Sequence, residues 1–411
     1  MSNRRITRAP AALGATILAA ALPLVASPAQ NRDREDPAPA ARLWKPVADE
    51  PYLQEAGEKI QTEAPVSRVA LTRDALYAVQ GGRLMSLRGS VLHPVEGAPT
   101  AIHRLRVLEG DLWALAADGV HRLRGGAWTR VDARPFVDLC LHLGRVHGAT
   151  RDAVFRLEKD GFVDLKPEGG YLSSDSTVVQ EDFSQILADP VELGPIERIA
   201  SYSGTLYLLR PGSLALIDVK TLWPDPMDWG SLPSPVTRDM AAVGSRLYVA
   251  TDRGLGMLRG MALYPVRGSD GLPVEDTTCL APGFDGDLWI GTTRGAIRRT
   301  EDDFHYFGAQ HWLPGDTVND ISVSGRTVAI ATDKGLGIIR YEPYTLAKKA
   351  AWYEREMEEW GFKRLGFVHK LYWAGEPGGW LREISDNDGG HTAHYLAAMT
   401  FKYAATGDEK A

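Results

Sequence analysis

Apolar residues along this chain gather in short runs bounded by polar or glycine-containing turns, and the runs keep a regular beat. Gly286-Asp287-Leu288-Trp289-Ile290-Gly291-Thr292-Thr293-Arg294-Gly295 shows one full measure. A turn leads into an apolar and aromatic run, a small polar turn closed by glycine follows, and then a second apolar run begins. The opening returns as Gly110-Asp111-Leu112-Trp113, Gly204-Thr205-Leu206-Tyr207, Ser245-Arg246-Leu247-Tyr248 and Gly325-Arg326-Thr327-Val328. Runs of this length between turn residues predict β-strands. Leu247–Ala250 and Leu255–Leu258 pair in this way across Thr251-Asp252-Arg253-Gly254, where glycine permits a tight turn. A third strand often follows, as in Ala127-Trp128-Thr129-Arg130-Val131.

Aligning the units on their aromatic or equivalent position gives Tyr77, Trp113, His147, Tyr207, Tyr248, Trp289 and Val328, spaced 36, 34, 60, 41, 41 and 39 residues apart. A second marker keeps the same phase: Leu232-Pro233, Leu272-Pro273 and Leu313-Pro314 precede successive units, where proline suits a loop and not a central ladder. Strand units recurring about every 40 residues are the mark of propeller blades. The fold class predicted is therefore all-β, a seven-bladed β-propeller over 61–345, with an insertion at 169–195 in the longest gap.

The strand Leu288-Trp289-Ile290-Gly291-Thr292-Thr293-Arg294-Gly295 and the junction Asp270-Gly271-Leu272-Pro273 resemble the two-component regulator propeller repeats of bacterial sensor regions and related secreted propellers. The match is good over 236–342 and looser before it, where Gly144-Arg145-Val146-His147 lacks the aromatic residue. The resemblance implies an exported propeller that binds carbohydrate fragments. The repeat's own aromatics, Trp113, Tyr207, Tyr248 and Trp289, are expected to pack between blades. Ligand candidates lie off the repeat, in Trp223-Pro224-Asp225-Pro226-Met227-Asp228-Trp229 and in Phe304-His305-Tyr306-Phe307-Gly308-Ala309-Gln310-His311-Trp312. Aromatic faces beside hydrogen-bonding groups are what a sugar surface needs, so Trp223, Asp228, Trp229, His311 and Trp312 are the expected substrate-binding residues, with blade closure the competing role.

The texture changes after Tyr344. Ala347–Trp360 is rich in helix formers with an apolar stripe, and Gly361 supplies a stop. Phe362–Trp373 reads as either a strand or an extended arm, and a second helix is predicted from about His391 to Ala405. Between them, Ser385-Asp386-Asn387-Asp388-Gly389-Gly390-His391-Thr392-Ala393-His394-Tyr395 resembles the opening of (α/α) toroid domains of carbohydrate-active enzymes, which implies that 346–411 is the start of a toroid cut short. The candidate catalytic residues are Asp386, Asp388, His391, His394 and Tyr395. Either aspartate serves as a general acid or base if its pKa is raised, and otherwise caps the helix. His391, His394 and Tyr395 fall at i, i+3 and i+4 on one helical face. Asp-Asn-Asp-Gly-Gly lacks the calcium-loop pattern and His-x-x-His has no nearby glutamate, so no metal is expected.

At the other end, Arg4, Arg5 and Arg8 precede an Ala/Leu-rich stretch with small residues Ser27 and Ala29 behind it, so 1–29 reads as a secretory signal and 30–60 as linker and lead-in. The expected location is secreted or periplasmic, with no membrane attachment after cleavage. Cys140 and Cys279 fall in different blades inside apolar strands and read as buried small hydrophobes. A net charge of -7 argues against nucleic acid as a partner. No phosphate-binding loop, GxSxG elbow or Cys/His zinc cluster occurs, and no cofactor is expected. The partner expected is a carbohydrate or small-molecule ligand. The function expected is glycan binding or processing, with a periplasmic ligand-binding sensor of a two-component regulator as the alternative.

Overall fold

A computed structural model describes residues 48–159, 161–165, 193–217, 224–226, 231–260, 262–301, 303–375 and 378–410. The chain divides into two units, one of Glu55–Glu342 and a second that includes Pro343–Ala411. The first unit is a seven-bladed β-propeller. Its seven four-stranded sheets follow one another in chain order, and innermost strands of successive sheets are neighbours all the way round. Blade 1 is Val66–Leu71, Leu76–Gln80, Arg83–Arg88 and Val91–Pro94, and the innermost strands of blades 2 to 6 are Ile102–Leu108, Asp138–His142, Arg198–Tyr202, Thr237–Val243 and Thr277–Pro282. Blade 7 is built from both ends of the unit: Val318–Ser324, Thr327–Thr332 and Gly335–Tyr344 take Tyr52–Gln61 as their outer strand. Residues 52–60, read from the sequence as lead-in, thus form most of the strand that closes the ring.

Every anchor residue lies on the second strand of its sheet. Trp113, Tyr207, Tyr248 and Trp289 are buried between blades, as their position in the repeat implies. Trp289 packs on Phe307 with ring centroids 4.9 Å apart. The small-polar turn after the second strand has a repeated bonding pattern. Thr251, Thr292 and Thr332 donate their hydroxyls to the carbonyls of Gly254, Gly295 and Gly335 at 2.7, 2.6 and 3.0 Å. The same oxygens accept the amides of Arg253, Arg294 and Lys334 at 3.1, 3.0 and 3.2 Å. A fully buried threonine thereby satisfies backbone groups of its turn, whose Arg or Lys residue stays exposed. Leu272 and Leu313 of the Leu-Pro markers are buried in the interblade clusters. Cys140 and Cys279 are free thiols, the second of them buried.

Blade 3 carries a histidine where other blades carry an aromatic ring. His147 packs edge-on against His142, centroids 5.2 Å apart, and both are buried. His142 Nδ1 lies 2.8 Å from Ser201 Oγ, while neither histidine's Nε2 has a partner among the described residues. Burial, and then the neighbouring His147, bring His142 down to about 4. The native ring is therefore neutral at pH 7, whereas an unfolded chain binds this proton near pH 6.5. Stability is complete above pH 6.5 and is lost as the pH falls towards 4, by about 3 kcal/mol. Denaturant unfolding across that window should show a shallower fall for His142→Gln than for the wild type; equal slopes would contradict a buried neutral imidazole.

In the second unit, helix α1 spans Leu346–Glu359 and is capped by Thr345, whose hydroxyl accepts the Lys348 amide at 3.2 Å. Two hairpins follow, Lys363–Arg364 with Phe367–Val368 and Lys370–Trp373 with Trp380–Glu383. The region read as strand or arm is therefore strand. Helix α2 spans Asp388–Thr406, beginning three residues before the sequence-based start and ending at Gly407 in the left-handed conformation. No helix among the described residues is long and apolar enough to cross a membrane.

Candidate functional site

The inner strands bring a belt of charge together around the propeller axis. Asp138 is buried at 1% exposure and holds Arg106 at 2.8 and 3.1 Å; its carboxylate also accepts the amides of Leu139 and of Ile199 in the next blade. Asp239 takes Arg198 at 3.0 Å and the Leu280 amide at 3.0 Å, and Asp320 accepts the Val69 amide at 3.1 Å. Each aspartate thus ties its blade to the next. Arg104, itself buried, lies 3.9 Å from Asp138 and 3.7 Å from Asp239. Burial, with Arg198 and Arg106 adding to it, brings Arg104 down to about 9. Burial works against the Asp239 carboxylate, but Arg104 and Arg198 outweigh it and hold the group below its ordinary value. At Asp320 burial wins over Arg68 and Arg104, and the group is raised. Opposed charges at these distances make a fastening. No group of three or more His, Cys, Asp or Glu among the described residues could hold a metal ion.

The substrate-binding candidates fare differently. Trp223, Asp228 and Trp229 lie outside the described residues. Trp312 stacks edge-on against Phe307 at 5.2 Å and covers Gly57 of the closing strand, where a Cβ would come within 2.8 Å of the indole. Lys59 on that strand donates to the Ala309 and Gln310 carbonyls at 2.7 and 3.1 Å. The loop carrying Trp312 is therefore clasped to the ring closure. His311 beside it is exposed.

The catalytic candidates are split by α2. Asp388 and Tyr395 face the first hairpin, while Asp386, His391 and His394 are exposed and His394 Nδ1 turns to the Gly390 carbonyl at 2.8 Å. Asp388 is buried and its carboxylate receives the Ser385 amide at 3.1 Å and His369 Nδ1 at 2.8 Å. Burial raises this carboxyl, but Ser385 and His369 together bring it below its ordinary value, the opposite of what a general acid needs. Tyr395 receives Lys363 Nζ at 3.1 Å. Two turns of helix separate Asp388 from Tyr395, about 10 Å along the axis, so they do not address one bond together. His369 was not among the sequence candidates. Its only signal was a polar residue in an apolar and aromatic stretch, and its partner lies 19 residues on.

No protein-family model matches this chain, and no curated protein resembles it significantly. Solved structures do share the fold. The extracellular domain of a B. thetaiotaomicron protein assigned to a hybrid two-component system superposes with a TM-score of 0.52 at 12% identity, over 70% of this chain and 40% of that one. A second such domain from the same organism gives 0.50 at 11% identity, over 68% and 40%. Virginiamycin B lyase from Staphylococcus aureus, captured with quinupristin, gives 0.51 at 12% identity, over 71% and 99%. At these identities the likeness is one of fold. It extends to propellers that form extracellular domains of two-component regulators.

Proposed function

We propose that this chain is an exported carbohydrate-binding protein whose propeller is the binding module, joined to a unit that opens a glycan-active helical toroid. The observation that carries the reading is the division of labour among the aromatics. Those of the repeat are consumed in interblade packing, whereas Tyr264 and Tyr306, off the anchor positions, stay 48% and 42% exposed beside polar turn residues. Half-exposed rings next to hydrogen-bonding groups suit saccharide faces. The toroid part is supported by α2, a 19-residue helix whose only Asp, Glu, Lys or Arg residues are Asp388 and Lys402 and which leaves Leu396 exposed. The similarity to extracellular domains of two-component regulators favours a second reading, in which the same binding event is sensed and signalled onward. A glycan array probed with the chain from residue 30 onward tests the binding claim shared by both. Selective binding to a subset of oligosaccharides is expected, and a folded protein that binds none would overturn it.

A further inference from the structure

Blades 4 and 5 leave a groove of about 760 Å³ where the turns joining first to second and third to fourth strands emerge. Ser203 and Ser245 are the exposed turn residues of adjacent hairpins and both line it. Ser203 has φ +51° and is followed by Gly204 at +80°, the pair of positive values a two-residue type I′ hairpin turn requires. The Tyr202 hydroxyl donates to the Ser245 carbonyl at 2.8 Å, which fixes the spacing of the two turns, and its ring rests against Tyr207 at 5.5 Å. On the blade 5 side, Met257 and Tyr264 are cross-strand partners, and Tyr264 keeps half its surface open. Arg259 completes the lining, its exposed guanidinium without a hydrogen bond or ion pair among the described residues. Arg246, next to Ser245, likewise has no ion pair among the described residues and leaves its Nε without a partner, whereas Arg198, Arg238 and Arg298 are held by Asp239, Asp276 and Asp287.

We infer that this groove binds an acidic saccharide, a pyranose ring bearing a carboxylate; the inference rests on the carbohydrate-binding reading above and adds to it a location and a ligand class. Tyr264 and Met257 offer apolar surface to the CH face of the ring, and the serine hydroxyls accept and donate to sugar hydroxyls. Arg259 supplies what a neutral sugar has no use for, a planar cation that takes a carboxylate in two parallel hydrogen bonds. In a chain of net charge -7, Arg259 with Arg246 beside it gives this place a local positive character that favours an anion. The volume lies within the usual range for small-ligand sites.

Isothermal titration of the chain from residue 30 onward with galacturonate and glucuronate disaccharides, and with their methyl esters, tests this. For the wild type, at least one acid should bind about tenfold more tightly than its ester. Arg259→Gln should erase that preference while leaving the ester's affinity in place, and Tyr264→Ala should weaken acid and ester alike. Both side chains are exposed, so the variants should melt with the wild type. Equal binding of acids and esters, or a preference that survives Arg259→Gln, overturns the acidic-saccharide site while leaving saccharide binding elsewhere on the protein intact. Failure of every saccharide on the array overturns both.

Discussion

Replacing Asp138 by alanine is expected to cost the propeller about 3–5 kcal/mol of unfolding free energy, the range for removing one partner of a buried ion pair. The side chain is 1% exposed, and its loss strands Arg106 and deprives Arg104 of one of its two counter-charges. It also leaves the Ile199 amide of blade 4 without its carboxylate acceptor, so the damage spreads across the blade 3 to blade 4 junction. Surface pairs give a control. Arg145 with Glu158 sits at 3.2 Å with both side chains a third or more exposed, and Glu158→Ala should cost under about 1 kcal/mol. Denaturant titration compares the two directly. A loss at Asp138 no larger than that at Glu158 would mean that the axial belt does not hold the blades together.

The second large effect is expected at Gly335. Its φ is +135°, and a Cβ there would lie 2.0 Å from the Ile60 carbonyl oxygen on the closing strand. Gly335→Ala combines backbone strain with a collision against main chain that has no rotamer to change, for a cost of about 4 kcal/mol. The more telling result is where the damage falls. Amide exchange should rise first in Tyr52–Gln61, because the substitution pushes that strand off blade 7. Gly325 also has positive φ, +53°, but nothing lies within 4 Å of its Cβ direction, so Gly325→Ala should cost only about 1 kcal/mol. Equal effects at the two glycines would argue that the ring is not closed by this strand.

Much of the ring was legible because a propeller writes its packing into a local repeat. Strand, turn and anchor recur within each unit, and the buried threonine turn at 251–254 has its partners three residues away. The features that were not legible depend on residues distant in the chain. The closing strand reads as a polar lead-in, since its pairing partner is nearly 300 residues on at Gly335–Tyr344. Arg104 and Asp239 meet only once the ring has formed. The same logic governs the sites. Trp312 reads as a free aromatic until the closing strand brings Gly57 beneath it. Asp388 reads as a helix cap or an acid until the hairpin delivers His369. Ser203, Ser245 and Arg259 sit in ordinary turn and strand-end positions, and only the meeting of two blades makes a groove of them.

The central claim is that binding belongs to the propeller, and hydrogen–deuterium exchange of the chain from residue 30 onward with its best array ligand tests it most directly. Protection confined to propeller turns, foremost those around Ser203, Ser245 and Arg259, with α1 and α2 unchanged, is the expected result. Protection confined to residues 346–410, with the propeller turns unaffected, would contradict it and move the binding site to the C-terminal unit.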